Sequence, residues 1–365
     1  MKTALVHYWL TNLRGGEKVL AELASLFPDA DLFTHACSRE MADRFFRGHH
    51  ITESMIAHLP GARRNCQKYL PLMPYALRRF DFSAYDLILS SESGPAKGIR
   101  KPHSAVHICY CHTPMRYLWD MYEEYYRETG IPGKIAMRVF RDFLRRYDLR
   151  SADSVDHFIA NSHFVAERIK RIYGRESTVI HPPANVEFFK KGEYEKKDYY
   201  LFVGQLIGYK RADLALEACL KMNRNLLIVG EGSMLAALKR RAGKNVRFLG
   251  RLDGEPLRRA YAEAKALLFP GIEDFGIVPL EAQAAGTPVI ALGKGGALET
   301  VTEQTGLFFP EPTVESLCAA IEEFESRTFD PAVLRSHTDS FSNDAFRRTM
   351  CDYLAEKVPG LELRP

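Results

Sequence analysis

No stretch of this 365-residue chain approaches the roughly 18–20 consecutive apolar residues that a membrane-spanning helix needs. The start, Met1 to His7, reads as a strand and has neither the apolar core nor the cleavage site of a secretory leader. The seven cysteines show no zinc-ligand spacing. Cys109 and Cys111 flank Tyr110 on an apolar run and read as buried thiols, so a reducing cytoplasm is the expected setting. A Gly-x-Gly-x-x-Gly fingerprint, a P-loop, a zinc finger, an RNA-binding sheet motif and a Lys/Arg block are all missing. With a formal net charge of only +4, nucleic acid is excluded as a partner.

What is present is an ordinary globular composition, 46% hydrophobic and 26% charged, long enough for two domains. The charge is uneven. Residues 1–192 hold 28 Lys and Arg against 21 Asp and Glu, a net of +7, and the remainder is net −3. The first half is therefore the one suited to an acidic partner. Short apolar runs recur between helical stretches. In the first half they are centred on Leu5, Ile88, Ile108, Phe158 and Val179, and in the second on Leu201, Leu227, Phe248, Leu268, Ile290 and Phe308. Continuous apolar strands alternating with helices indicate parallel sheets covered on both faces. Two such series predict an α/β protein with two doubly wound, Rossmann-like domains and a ligand cleft at the carboxyl ends of the strands. The polar segment Lys190 to Asp198 reads as the linker, giving domains 1–192 and 193–342. Residues 343–365 form a helix and tail, with Phe346, Met350 and Leu354 at helical spacing, expected to pack back on the first domain.

Five loops are candidates for chemistry. Glu273 and Glu281 bracket Asp274-Phe275-Gly276-Ile277, where a strand, a loop and a helix follow one another. Gly276 stands where that helix should begin, so backbone N–H groups would point out beside Glu273. Eight helical residues rotate about 80° beyond two turns, so the carboxylates would make separate contacts rather than act as an acid/base pair. Lys210 and Arg211 precede a helix after the Tyr200–Val203 run, a plausible phosphate site or simply a solvated helix start. Gly230-Glu231-Gly232 and Gly293-Lys294-Gly295-Gly296 either let backbone crowd a ligand or merely turn the chain. In the first half, Gly15 and Gly16 open a helix and could lay N–H groups against a diphosphate. His112, just past a strand and held by Pro114, either faces the cleft or bonds to backbone at the strand end.

Glu273-Asp274-Phe275-Gly276-Ile277-Val278-Pro279-Leu280-Glu281, with Ala285-Gly286-Thr287-Pro288, Gly15-Gly16-Glu17, Cys111-His112-Thr113-Pro114 and Tyr209-Lys210-Arg211, resembles glycosyltransferase family 4 over nearly the whole chain. The resemblance implies the GT-B fold. It further implies retaining, metal-independent transfer of a hexose from a nucleoside diphosphate sugar, with no cofactor. The similar branch is bacterial, builds lipopolysaccharide and other surface polysaccharides, and commonly uses GDP-mannose; a UDP-sugar is the alternative donor. By the same resemblance Lys210, Arg211, Gln205, Gly15 and Gly16 would hold the diphosphate. Glu273, Asp274, Phe275, Gly276, Ile277 and His112 would hold the sugar, and Glu281 the ribose. His112, Glu273 and Lys210 would be the catalytic group. Two departures stand out: Gln205 replaces the family's arginine, and Tyr8 stands where relatives carry Asp. The acceptor implied is a lipid-linked or growing glycan. The segment Lys134 to Arg150 mixes Arg138, Arg141, Arg145 and Arg146 with Ile135, Val139, Phe140 and Phe143. It reads either as a dock for anionic lipid on the inner face of the cytoplasmic membrane or as a surface helix packed by its apolar side. A GT-B epimerase or phosphorylase and a non-catalytic sugar-nucleotide-binding protein are the other classes consistent with this pattern.

Overall fold

The computed structural model describes residues 1–363, and among these the chain forms two parallel sheets in two compact units. The first unit runs Met1–Pro183 and takes up the chain again from Phe346. Its strands are β1 (Thr3–His7), β2 (Asp31–Thr34), β3 (Ile51–Glu53), β4 (Leu87–Glu92), β5 (Val106–Cys111), β6 (His157–Ala160) and β7 (Ser177–Val179). They lie in the order β3-β2-β1-β4-β5-β6-β7. The second unit, Ala184–Ala345, holds β8 (Tyr200–Val203), β9 (Leu226–Val229), β10 (Val246–Gly250), β11 (Ala266–Phe269), β12 (Val289–Leu292) and β13 (Gly306–Phe309), in the order β10-β9-β8-β11-β12-β13. Each order reverses once, between β1 and β4 and between β8 and β11. Crossovers on the two sides of such a point run to opposite faces of the sheet, leaving a recess above the strands' carboxyl ends. All seven cysteines are free and buried.

Burial on both faces explains the apolar runs. Leu87, Ile88 and Leu89 of β4 and Val289, Ile290 and Ala291 of β12 are each 3% exposed or less, so no polar alternation is possible there. Two strands lack that signature: β2 is only Asp-Leu-Phe-Thr and β3 only Ile-Thr-Glu. The changeover between units falls at Pro183–Ala184, ahead of the polar stretch where composition places it. Val186 and Phe189 of the short helix Val186–Phe189 are buried in the second unit's core, with Phe189 edge-on to Tyr261 at 5.5 Å. The last helix, Asn343–Lys357, buries Phe346, Met350 and Leu354 in the first unit's core, and Arg347 reaches Glu22 at 2.7 Å.

One buried ion cluster ties the first unit together. Lys97 is fully buried, and its ammonium bonds to Glu92 Oε1 at 2.7 Å, to Asp148, and to Tyr173 Oη at 3.2 Å. Glu92 ends β4 and also accepts the N–H groups of Ala96 and Lys97; Asp148, on the helix Ile131–Ala152, accepts from Trp119 Nε1 at 2.7 Å. Burial opposes the charge on Lys97, but Asp148 and Glu92 outweigh it and hold its pKa well above the ordinary value. Because removing one partner strands the others in a dry site, Lys97→Met is expected to destabilise this unit by about 3–5 kcal/mol. Urea titration followed by tryptophan fluorescence reads it directly, since Trp9 and Trp119 both lie in this unit. A loss below about 1 kcal/mol would show the cluster to be as dispensable as a surface pair.

Candidate active site

The second unit gathers its candidate residues at its switch point. Lys210 follows β8 in the short turn Gly208–Lys210, and Glu273 follows β11. Their side chains meet as an ion pair, 19% and 14% exposed. The loops are held by close backbone approach. A Cβ on Gly271 would stand 2.8 Å from Tyr209 O and 2.9 Å from Lys210 Cα. A Cβ on Gly295 would stand 2.7 Å from Glu273 O, and one on Gly296 would collide with the Phe275 backbone. Gly296 N–H donates to Glu273 O at 2.9 Å. Gly230 and Gly232 sit equally tightly on the backbone of Gly204 and Leu206. These glycines let loop press on loop, which fixes the groups that would meet a ligand.

The helix Ile277–Ala284 starts beside this pair. Gly276 is its N-cap with φ 121°, a conformation that favours glycine, and no side chain caps it. Phe275 is 4% exposed and packs on Phe341, their rings 5.9 Å apart, so it anchors the turn. Glu281 is 7% exposed and accepts a hydrogen bond from Tyr261 Oη at 3.0 Å. Burial, and then Glu281, push the Tyr261 phenol far above its ordinary pKa, so it stays a donor. Glu273 and Glu281 thus have different partners, but because Glu273 lies in the loop before the helix and only Glu281 on it, the loop and not helical rotation sets them apart. Asp274 is half-buried next to Glu273, and Ile277 is the first helical residue. Gln205 is exposed. Arg211 has a left-handed backbone, φ 56°, and turns its Nε to Asp213 at 3.2 Å. That conformation is costly for a side-chain-bearing residue.

In the first unit Gly15 and Gly16 begin the helix Gly15–Leu26, Tyr8 follows β1, and His112 follows β5. A Cβ on Gly16 would lie 3.1 Å from Tyr8 Oη and 3.3 Å from His112 Nε2, so these three positions are in contact. The His112 ring bonds to the side chain of Ser91, at 2.9 Å, rather than to backbone. Three buried neighbours were not among the candidate site residues: His7, Glu17 and Ser91. Glu17 stood in the Gly15-Gly16-Glu17 motif without a role, and the polar run Ser90-Ser91-Glu92-Ser93 directly after Leu87-Ile88-Leu89 is the signal that marks Ser91.

Two family models match the chain in succession. "Glycosyltransferase Family 4" covers residues 13–188, and "Glycosyl transferases group 1" covers 184–338. The chain belongs to glycosyltransferase family 4. Its two Rossmann-like sheets are those of the GT-B class. Among curated relatives, a Corynebacterium glutamicum GDP-mannose-dependent phosphatidylinositol monomannoside mannosyltransferase is 32% identical over 46% of this chain and 52% of its own. The D-rhamnosyltransferase WbpZ of Pseudomonas aeruginosa is 27% identical over 51% and 53%. The chain spans about half the length of these relatives. Two solved structures share the fold over 98% of this family 4 chain. Anabaena HepE in complex with UDP has TM-score 0.72, 16% identity and full coverage of its own chain. The sucrose-phosphate synthase of Thermosynechococcus elongatus has TM-score 0.68, 18% identity and 99% coverage of its own.

The loop packing is directly testable. Gly296 has an ordinary helical backbone, φ −66°, so only its missing Cβ matters. Gly296→Ala should cost about 1–3 kcal/mol through overpacking against the Phe275 backbone. Gly293→Ala, where a Cβ would meet nothing nearer than 3.6 Å, should be tolerated. Thermal unfolding of both variants decides it: equal stability would remove the loop-on-loop role.

Proposed function

We propose that this chain transfers a hexose, mannose from GDP-mannose in the first instance, to a hydroxyl of a lipid-linked or growing surface glycan, with retention and without a metal. The observation that carries this reading is the Lys210–Glu273 pair at the switch point, beside an uncapped helix start and a Tyr261-held Glu281. In the proposed cycle the donor diphosphate takes Glu273's place on Lys210. The backbone N–H groups of the helix start, from Ile277 on, donate to its phosphate oxygens, and Arg211 and Gln205 flank it. Glu273, released from Lys210, accepts hydrogen bonds from the sugar, next to Asp274. Glu281 accepts them from the ribose diol. Gly15 and Gly16, proposed for the diphosphate, and His112, proposed for the sugar, stand on loops of the first unit.

Chemically, the bond from the anomeric carbon to the diphosphate oxygen breaks, and a bond to the acceptor oxygen forms on the same face. The acceptor's proton passes to the departing phosphate. Lys210 and the helix start stabilise charge as it develops on the leaving group, a role that fixed dipoles and cations perform with little reorganisation. The corynebacterial relative favours GDP-mannose. A UDP-sugar is the second reading, favoured by the fold's likeness to a protein solved with UDP.

The same proposal places the chain on the cytoplasmic face of an anionic membrane. Among the described residues no helix is long and apolar enough to cross one. The helix Ile131–Ala152, however, turns Ile131, Ile135, Val139 and Phe143 outward, 46–75% exposed at every fourth position. Lys134 and Arg138 lie over the Tyr126 ring, and Arg141 lies 3.9 Å over Tyr122. An exposed apolar stripe edged by cations suits the lipid interface.

Two outcomes are expected. In a thermal-shift screen GDP-mannose should stabilise the protein by about 2.7 kcal/mol at a hundredfold excess over Kd. It should stabilise more than UDP-, ADP- or dTDP-sugars do, and Glu281→Ala should lose most of the effect. No shift with any donor, or an inverted linkage in the product, would sink the reading. Separately, Ile135→Asp with Val139→Asp should abolish co-sedimentation with phosphatidylglycerol vesicles. Binding that survives, or that is equal on neutral vesicles, would remove the docking face.

A further inference from the structure

Behind His112 lies a chain of buried polar groups drawn from two strands and a helix start. His7, at the end of β1 and 1% exposed, approaches Ser91 Oγ of β4 through Nδ1 at 3.2 Å. Ser91 Oγ stands 2.9 Å from His112 Nε2. The other nitrogen of His7, Nε2, lies 3.8 Å from Glu17 Oε1, beyond hydrogen-bond reach but close enough for the carboxylate's charge to act on it, and Glu17 is 2% exposed. Glu17's second oxygen is tied down by Arg14 N–H at 3.0 Å, and the His7 ring is held against Tyr8 at 4.1 Å.

Ser91 has one hydroxyl proton and two imidazole neighbours, and it is fully buried. Among the described residues its hydroxyl has no other hydrogen-bond acceptor. If it donates to His7, then His112 must donate to it, and the reverse holds too. The two rings therefore cannot choose their tautomers independently. Glu17 breaks the tie. A carboxylate facing His7 Nε2 draws the proton to that nitrogen and leaves Nδ1 as acceptor for the Ser91 hydroxyl. Burial, and then the neighbouring His7, lower the His112 pKa to about 3, so His112 stays neutral and its tautomer is the only variable left.

We infer that Glu17, His7 and Ser91 are positioning residues that hold His112 with Nε2 protonated, so that Nδ1 is offered as a hydrogen-bond acceptor to a hydroxyl of the sugar or the acceptor. The assignment of that hydroxyl rests on the transferase reading above; the tautomer itself does not.

The test is ring-nitrogen NMR on the full chain with 15N-labelled histidine, His112 being assigned by the signal lost in His112→Asn. Wild type should show His112 protonated at Nε2 and bare at Nδ1. Glu17→Gln places an amide N–H against His7 Nε2 and should invert both rings, moving the His112 proton to Nδ1. Ser91→Ala should uncouple them, so that adding Glu17→Gln no longer changes His112; this second arm serves if Glu17→Gln alone folds poorly. An His7 imidazolium, a wild-type His112 protonated at Nδ1, or a His112 tautomer indifferent to both substitutions would overturn the inference. In a transfer assay, Glu17→Gln should lower kcat roughly 10²-fold with KM little changed, as misoriented groups do. A chain that transfers no sugar at all would remove the functional reading and leave the ring-nitrogen result standing.

Discussion

The single reversal of strand order in each parallel sheet is the constraint on which the rest depends. A parallel sheet must be covered on both faces, so its crossovers divide between them, and at one point the division leaves a recess above the strands. In the second unit that point lies between β8 and β11, and the loops leaving those two strands carry Lys210 and Glu273. In the first it lies between β1 and β4, whose ends carry His7, Tyr8 and Ser91. Packing thus decides where chemistry can sit before any particular side chain is chosen. The glycines then set how tightly. Gly230, Gly232, Gly271, Gly295 and Gly296 remove the Cβ atoms that would keep neighbouring loops apart.

Two ion pairs in the molecule look alike on paper and differ in kind. Lys97 with Glu92 and Asp148 is fully buried, and each oxygen not taken by the ammonium has a donor of its own. It links β4 to two helices and to the loop bearing Trp119, and opening it would strand charge in a dry core. Lys210 with Glu273 is 19% and 14% exposed and draws its members from two loops. Both side chains keep some solvent contact, so opening this pair does not strand charge in a fully dry site. The structural pair holds the unit together, whereas in the proposed cycle the loop pair trades one anion for another.

Much of this was legible from residue order. Continuous apolar runs located eleven of the strands, and β2 and β3 escaped because Asp-Leu-Phe-Thr and Ile-Thr-Glu are too short and polar to carry a pattern. Gly276 marked the start of its helix, and the spacing of Phe346, Met350 and Leu354 marked the last one. What stayed hidden depends on contacts between distant positions. Ser91 meets His7 across 84 residues, and Lys97 meets Tyr173 across 76. Only strand order brings such groups together, and no local spacing encodes strand order. The glycine clusters were visible as clusters, yet which backbone they approach depends on how four loops stack.

The most direct test of the central claim is calorimetric titration with a nucleoside diphosphate lacking its sugar, GDP and UDP in turn, into wild type, Glu273→Gln and Lys210→Ala. If the diphosphate displaces Glu273 from Lys210, Glu273→Gln should bind at least as tightly as wild type, because Lys210 no longer has a competing anion. Lys210→Ala should bind about tenfold more weakly, a loss of about 1.4 kcal/mol. Equal weakening in both variants would contradict the account and make the pair a structural brace like that of Lys97.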